Sequence, residues 1–167
     1  MTELTMNYSI VLFELKISHE IIHETKNIFL ESRELLNALS NPSIQQNEKH
    51  SVIDSIFDKE IRNFLKVLSD NNKIDLIVNI IDAYDEVLLQ SKNILKVTFT
   101  YVTIPDENQI NQIKEFVRDK YNKADVLLEL KEDSSLLGGF ILTVGDIVYD
   151  KSIAGTLSSL RKTLAWR

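Results

Sequence analysis

Apolar residues recur at helical spacing through the first half of the chain. Tyr8, Val11, Leu12 and Leu15 share one face of a predicted first helix. A second helical stretch is predicted over about His19 to Leu39, with a break inside it, and Pro42 after Asn41 cannot continue it. Ser43 and Gln46 have the spacing of a capping box for a helix that presents Val52, Ile53, Ile56 and Phe57. Asp58 is suited to cap the next, which carries Ile61, Phe64, Leu65 and Leu68 on one face. The polar run Ser69, Asp70, Asn71, Asn72 predicts a turn, and Ile74, Ile77, Ile81, Tyr84 and Leu88 then form the stripe of a last, longer helix. Short connections between such segments predict an antiparallel bundle of about six short helices.

After this the period changes. Leu95 to Ile104 is rich in Val, Thr, Phe, Tyr and Ile and predicts a strand, ended by Pro105. Asp106 and Gln109 open a helix with Ile110, Ile113, Phe116 and Val117 on one face, and Asp125 to Leu130 is a second strand candidate. Phe140–Val144 and Ile147–Tyr149 flank Gly145-Asp146, and glycine first in a two-residue loop suits a type II′ hairpin. Ser152 is placed to cap a final helix with Ile153, Leu157, Leu160 and Leu164 on one side. The predicted fold class is α + β: an N-terminal antiparallel helix bundle over residues 1–92 and a small α+β domain over 93–167. Glycine use agrees with this division. All four glycines, Gly138, Gly139, Gly145 and Gly155, lie late in the chain, and nothing before Leu137 is expected to need glycine's permissive backbone.

Composition narrows the function classes. Hydrophobic residues make up 44% and charged residues 26%, the balance of a folded chain. A net charge of -6 disfavours nucleic acid and direct attraction to an anionic membrane surface. The absence of cysteine excludes disulfides, thiol catalysis and thiolate metal sites. The N-terminal segment lacks the features of a secretory signal and no apolar run is long enough to span a bilayer, so the expectation is a soluble protein of the cytoplasm without direct membrane insertion.

One short motif competes for attention. His19-Glu20-Ile21-Ile22-His23 matches H-E-x-x-H, in which two histidines one helical turn apart hold zinc and the glutamate acts as general base. A zinc metallopeptidase is the alternative function on this basis. Ser18 instead reads as a helix cap, which puts both histidines at a helix start, and charged Glu24 follows His23 where peptidases of this type resemble one another in an uncharged residue. A third ligand would come from Glu31, Glu34 or His50, and no pattern singles one out. The expectation is therefore a solvated helix turn, with no metal, no cofactor and no catalytic residue. Asn7-Tyr8-Ser9 is a glycosylation sequon in letters only, and Gly138-Gly139 lacks the pattern of a nucleotide loop.

The C-terminal segment is more specific. Leu136-Leu137-Gly138-Gly139-Phe140-Ile141-Leu142, then Gly145-Asp146-Ile147-Val148-Tyr149-Asp150, then Ser152-Ile153-Ala154-Gly155-Thr156-Leu157 and Leu160, resembles the signature of the delta subunit family of F-type ATP synthases, relatives of the mitochondrial oligomycin-sensitivity-conferring protein. Tyr8 to Leu15 is similar to that family's first helix. Asn41-Pro42-Ser43-Ile44 with Glu48-Lys49 resembles an inter-helix segment, and Asn63-Phe64-Leu65 with Leu68 and Asn71-Asn72-Lys73 resembles its fifth helix and the following turn. Three positions depart from the pattern: Lys151 stands where glycine is usual, and Ala154 and Lys73 where arginine is common.

The resemblance implies a non-catalytic stator subunit at the cytoplasmic face of a bacterial cell membrane. It would link the catalytic head to the b subunits of the peripheral stalk, prevent co-rotation and so support ATP synthesis driven by hydrogen ion or other ion transport. It implies that the N-terminal domain binds the N-terminal helices of alpha subunits, with Tyr8, Leu12, Leu15, Phe64 and Leu68 as interface candidates. It further implies that the C-terminal domain meets the b subunits. There Phe140 is the contact candidate and Gly138, Gly139, Gly145, Asp146, Asp150, Ser152, Gly155 and Leu160 make up the stalk-side structural signature.

Overall fold

A single residue ends one helix and starts the next inside the predicted second stretch. Ser32 (φ -117°, ψ 87°) donates its N–H to the Ile28 carbonyl, closing α2 (His19–Glu31). Its side chain accepts from Leu35 N, opening α3 (Arg33–Ser40). In the computed structural model, which describes residues 2–157, this is one of several caps that set element bounds. Thr2 caps α1 (Glu3–Glu14), Ser18 caps α2, and Asp58 caps α5 (Lys59–Asp70) by accepting from Glu60 N at 2.9 Å. The capping box expected of Ser43 and Gln46 does not form. α4 (Gln46–Ile56) starts after Gln45 with no side-chain cap, and Ser43 N–H is taken instead by Asn41 Oδ1 at 2.9 Å in a local turn. A 3-10 turn, Ile74–Leu76, then leads into α6 (Ile77–Ser91).

The chain divides into two compact units, residues 1–88 and 89–167, with the boundary inside the last turn of α6. The first unit closes around Leu12, Ile22, Phe29, Leu39, Ile53, Ile61, Leu65, Leu68, Ile77 and Ile81, all fully or almost fully buried. Fully burying a side chain of this size stabilises by about 1.5–3 kcal/mol, which makes these positions the main source of the bundle's stability.

In the second unit, β1 (Ile94–Tyr101) lies inside a four-stranded sheet of order β2-β1-β3-β4. β1 ends at Tyr101, so residues 102–104 are not strand as the Val/Thr/Ile content predicted. α7 (Glu107–Tyr121) begins with a complete capping box between Asp106 and Gln109. It crosses from β1 to β2 (Asp125–Glu132), which pairs parallel to β1. β3 (Phe140–Val144) pairs antiparallel with β1 from Val97↔Val144 to Tyr101↔Phe140, and β4 (Ile147–Asp150) pairs antiparallel with β3. Val97, Phe99, Val126, Leu142 and Val144 form one face of this sheet and share a core with Val117 of α7. Helical residues 153–157 follow β4, and the expected positions Leu160 and Leu164 lie outside the described residues.

The predicted division of glycine need is corrected in one respect. Lys16, Asn72, Asn93 and Asn122 all hold positive φ, between 49° and 54°, in the part of the chain without glycine. Three of the four are asparagine, whose short polar side chain tolerates this conformation best after glycine.

Candidate functional site

The expected alpha-facing residues separate into core and surface. Leu12 of α1 and Leu68 of α5 are fully buried and Phe64 nearly so: Phe64 and Leu68 lie on the same face of α5 as Ile61 and Leu65, and Leu12 packs in the same core. These three are packing residues and offer a partner little area. Tyr8 is half-buried and sets its ring edge-on to Phe64 at 6.4 Å, joining α1 to α5. Leu15 is 50% exposed.

An uncovered apolar stripe nevertheless runs beside this seam. Leu4, Tyr8, Val11 and Leu15 follow one another at helical spacing along α1, and Val11 is 46% exposed. On α5, Val67 lies one turn beyond Phe64 and is 50% exposed. Leu4 and Val67 are not individually distinguishable as surface in the sequence, where an apolar stripe reads as one core-facing side of its helix. The excess of apolar residues around α1, more than a single core-facing stripe requires, was the available signal.

The C-terminal signature builds a backbone crossing. Gly139 (φ +75°) brings the start of β3 against the segment after β4, so that a Cβ there would stand 3.0 Å from Ser152 Cα and 3.1 Å from the Lys151 carbonyl carbon. Lys151 N–H donates to the Phe140 carbonyl at 2.9 Å and Ile153 N–H to the Gly138 carbonyl at 3.1 Å, tying the two segments together. Lys151 itself is not among the described residues with positive φ, so lysine fits where glycine is usual. Gly145 alone has positive φ in the hairpin loop, with Val144 paired to Ile147 across it, the sign pattern of a type II′ turn. Asp146 completes that loop.

Asp150 and Ser152 form the helix start. Asp150 Oδ1 accepts from Ser152 N at 2.8 Å and from Ser152 Oγ at 2.6 Å, while Ser152 Oγ accepts from Gly155 N at 2.9 Å. The bonds from Ser152 hold the Asp150 carboxyl below its ordinary value. Gly138, Gly139, Asp150, Ser152 and Gly155 thus come together as a structural element.

Phe140 does reach the surface. It is 37% exposed, stacks on Phe99 at 5.1 Å, and lines an open groove of about 430 Å³ with Ile113, Phe116, Leu142 and Tyr149. Phe116 is 54% exposed at its rim. Tyr149 is fixed beside the groove by a 2.8 Å hydroxyl pair with Tyr121 and by Lys120 Nζ 4.3 Å above its ring. Lys120 and Tyr121 hold the Tyr149 hydroxyl below its ordinary value, whereas its bond to Tyr149 raises that of Tyr121.

Of the third ligands considered for the H-E-x-x-H motif, Glu31 and Glu34 are exposed and His50 is paired with Asp70 at 2.8 Å. None of them joins His19 and His23, whose neighbour is Asp85 of α6. An open cleft of about 390 Å³ along α2 is lined by Ile21, Glu24, Thr25, Ile28 and the start of α5, and neither histidine lines it. The peptidase reading has no support in this arrangement.

Comparison with known proteins accounts for the signature. The family model of the ATP synthase delta (OSCP) subunit matches residues 13–164. ATP synthase subunit delta of Lactobacillus gasseri is 34% identical over 150 residues, covering 86% of this chain and 82% of the relative. That of Acetivibrio thermocellus is 34% identical over 156 residues, covering 91% and 87%. The mitochondrial ATP synthase subunit 5 of Yarrowia lipolytica is 28% identical over 147 residues, covering 84% of this chain and 69% of the relative. A chain in a cryo-EM structure of the Toxoplasma gondii mitochondrial ATP synthase hexamer has the same fold, with a TM-score of 0.67 at 20% identity over 98% of each chain. With a match across nearly its whole length and relatives this similar, the chain belongs to the ATP synthase delta (OSCP) subunit family.

Proposed function

We propose that this subunit is a non-catalytic stator connector of a bacterial F-type ATP synthase. It sits peripherally at the cytoplasmic face of the cell membrane and holds the catalytic head against co-rotation while ions drive ATP synthesis. The observation that carries the reading is the family match combined with two separately cored units, each leaving apolar surface uncovered. No helix among the described residues is long and apolar enough to cross a membrane, which suits a peripheral position.

In this reading Val11, Leu15 and Val67 receive an amphipathic N-terminal helix of an alpha subunit, with Tyr8 and Phe64 as the floor between α1 and α5. The groove at Phe116, Phe140 and Tyr149 receives the C-terminal end of the b subunits. The glycines and the Asp150–Ser152 cap shape the second unit and do not touch partners.

The test is titration of the full chain with a peptide from the cognate alpha subunit's N-terminus and, separately, with a C-terminal b-subunit peptide. Leu15→Asp or Val67→Asp should weaken the alpha peptide by about tenfold or more and leave the b peptide unaffected. Phe116→Asp should do the reverse. No alpha binding at about 1 mM peptide, weaker than any specific complex needs, would remove the first half of the proposal. Equal effects of all three variants on both peptides would remove the assignment of surfaces.

A further inference from the structure

We propose that His19, His23 and Asp85 form a binding site for one zinc-class divalent cation, held as a clip between α2 and α6 and not used for hydrolysis. The proposal stands apart from the stator reading, since it needs only the first unit's own geometry.

His19 and His23 are one helical turn apart, so both rings leave the same face of α2, with centroids 4.1 Å apart. Both turn Nε2 toward the same oxygen. Asp85 Oδ1 lies 3.0 Å from His23 Nε2 and 3.6 Å from His19 Nε2. One ligand atom from each of the three residues lies within 4.8 Å of the others. Bonds of about 2.0–2.2 Å to a tetrahedral zinc ion place its ligand atoms roughly 3.3–3.5 Å apart, so the three approach coordinating distance already and small side-chain rotations complete it. Without an ion, His23 and Asp85 satisfy each other by a hydrogen bond. An ion would replace the shared proton and recruit His19 as well.

The donor set chooses the metal. Two imidazoles and one carboxylate suit Zn²⁺ and, as probes, Co²⁺ or Ni²⁺, whereas Mg²⁺ and Ca²⁺ call for an all-oxygen shell. The side chains are 55%, 34% and 32% exposed, which leaves an open path for the ion and room for water in the fourth position. Asp82, one turn earlier on α6, is engaged by Lys26 at 2.6 Å and supplies no further ligand. No described groove for a substrate joins the three ligands. Glu20 is exposed at the helix start, and the cleft beside α2 is lined by none of the three ligands.

The consequence is a cross-link between positions 62 residues apart in sequence, His23 and Asp85. An ion bound to the folded unit and not to the unfolded chain stabilises it by mass action.

The test uses the full, tag-free chain stripped with chelator and titrated calorimetrically with Zn²⁺, with thermal unfolding followed with and without the ion. One ion per chain, a rise in Tm reversed by chelator, and visible Co²⁺ absorption of a four-coordinate ion are expected. His19→Gln, His23→Gln and Asp85→Asn should each lower affinity by about tenfold or more, while His50→Gln leaves it unchanged. Circular dichroism of the stripped variants separates loss of ligand from loss of fold, and Asp85→Asn keeps the shape of the site if a histidine variant misfolds. No zinc bound at about 100 µM, or binding untouched by both His23→Gln and Asp85→Asn, would overturn the site. Zinc-dependent peptide cleavage would overturn its non-hydrolytic character.

Discussion

The carboxylate of Asp150 occupies the space in which a side chain at residue 155 would begin. A Cβ on Gly155 would stand 2.6 Å from Asp150 Cγ and 2.7 Å from Oδ1. The glycine is therefore kept for a neighbour's carboxylate and not for its own backbone angle. Gly155→Ala gains about 1 kcal/mol of helix propensity but meets an overpacking cost of about 1–3 kcal/mol. Net destabilisation is expected in urea unfolding of the full chain. Adding Asp150→Ala should recover part of it, giving a double mutant more stable than the sum of the two single changes.

Two other glycines should rank by what surrounds them. Gly139→Ala combines strained φ with collision against the Lys151–Ser152 backbone, which cannot rotate away, and should cost about 3 kcal/mol or more. Gly145 has nothing within 4 Å, so Gly145→Ala should pay only for its φ, about 1–2 kcal/mol. Equal losses in denaturant titrations would contradict the crossing described for Gly139.

Core and surface on α1 can be told apart by one pair of variants. Leu12→Ala leaves a hole in a closed core and should cost about 2–5 kcal/mol. Leu15→Asp, at a half-exposed position that ends α1, loses about half of a leucine's burial and places a negative charge at the helix C-terminus, and should cost only about 1–2 kcal/mol. Comparison of denaturation midpoints for the two variants checks this without any partner present.

Acid should loosen the cap after β4. The Asp150 carboxyl is lowered in the folded chain by its bonds from Ser152, so its stabilising contribution is complete above the ordinary aspartate value and is lost as pH falls through the lower, folded value. Ser152→Ala should raise the Asp150 titration midpoint measured by NMR and flatten the acid limb of the stability profile. An unchanged midpoint would show that the hydroxyl bond does not hold the carboxylate.

Much of the fold was legible in the sequence because its signals are local. The Asp58 and Ser18 caps, the Asp106–Gln109 box and the Gly145 hairpin each depend on residues a few positions apart. What is set at long range was not legible. The place of β3 beside β1 depends on pairing Phe99 with Leu142, which neither segment announces. Asp85 and His23 carry no joint signal in the sequence, because helix α6 brings them together only in the fold. Leu12 and Leu15 look alike in a helical stripe, and only the packed bundle separates them into core and surface. Asn72, Asn93 and Asn122 carry the signal for left-handed exits in the part of the chain without glycine.

The strand order also bears on how the chain is made. Contacts within the bundle can form as soon as α6 leaves the ribosome, so the first unit folds early in synthesis. β1 emerges next, inside the eventual sheet, with Val97 and Phe99 unpaired until β2 and then β3 are translated. Closing Val97 onto Val144 requires the whole intervening stretch to be present, so the sheet is completed only after β3 is translated. During that interval the nascent subunit carries a finished bundle and an open apolar strand, and a pause there is the moment of its greatest exposure to aggregation.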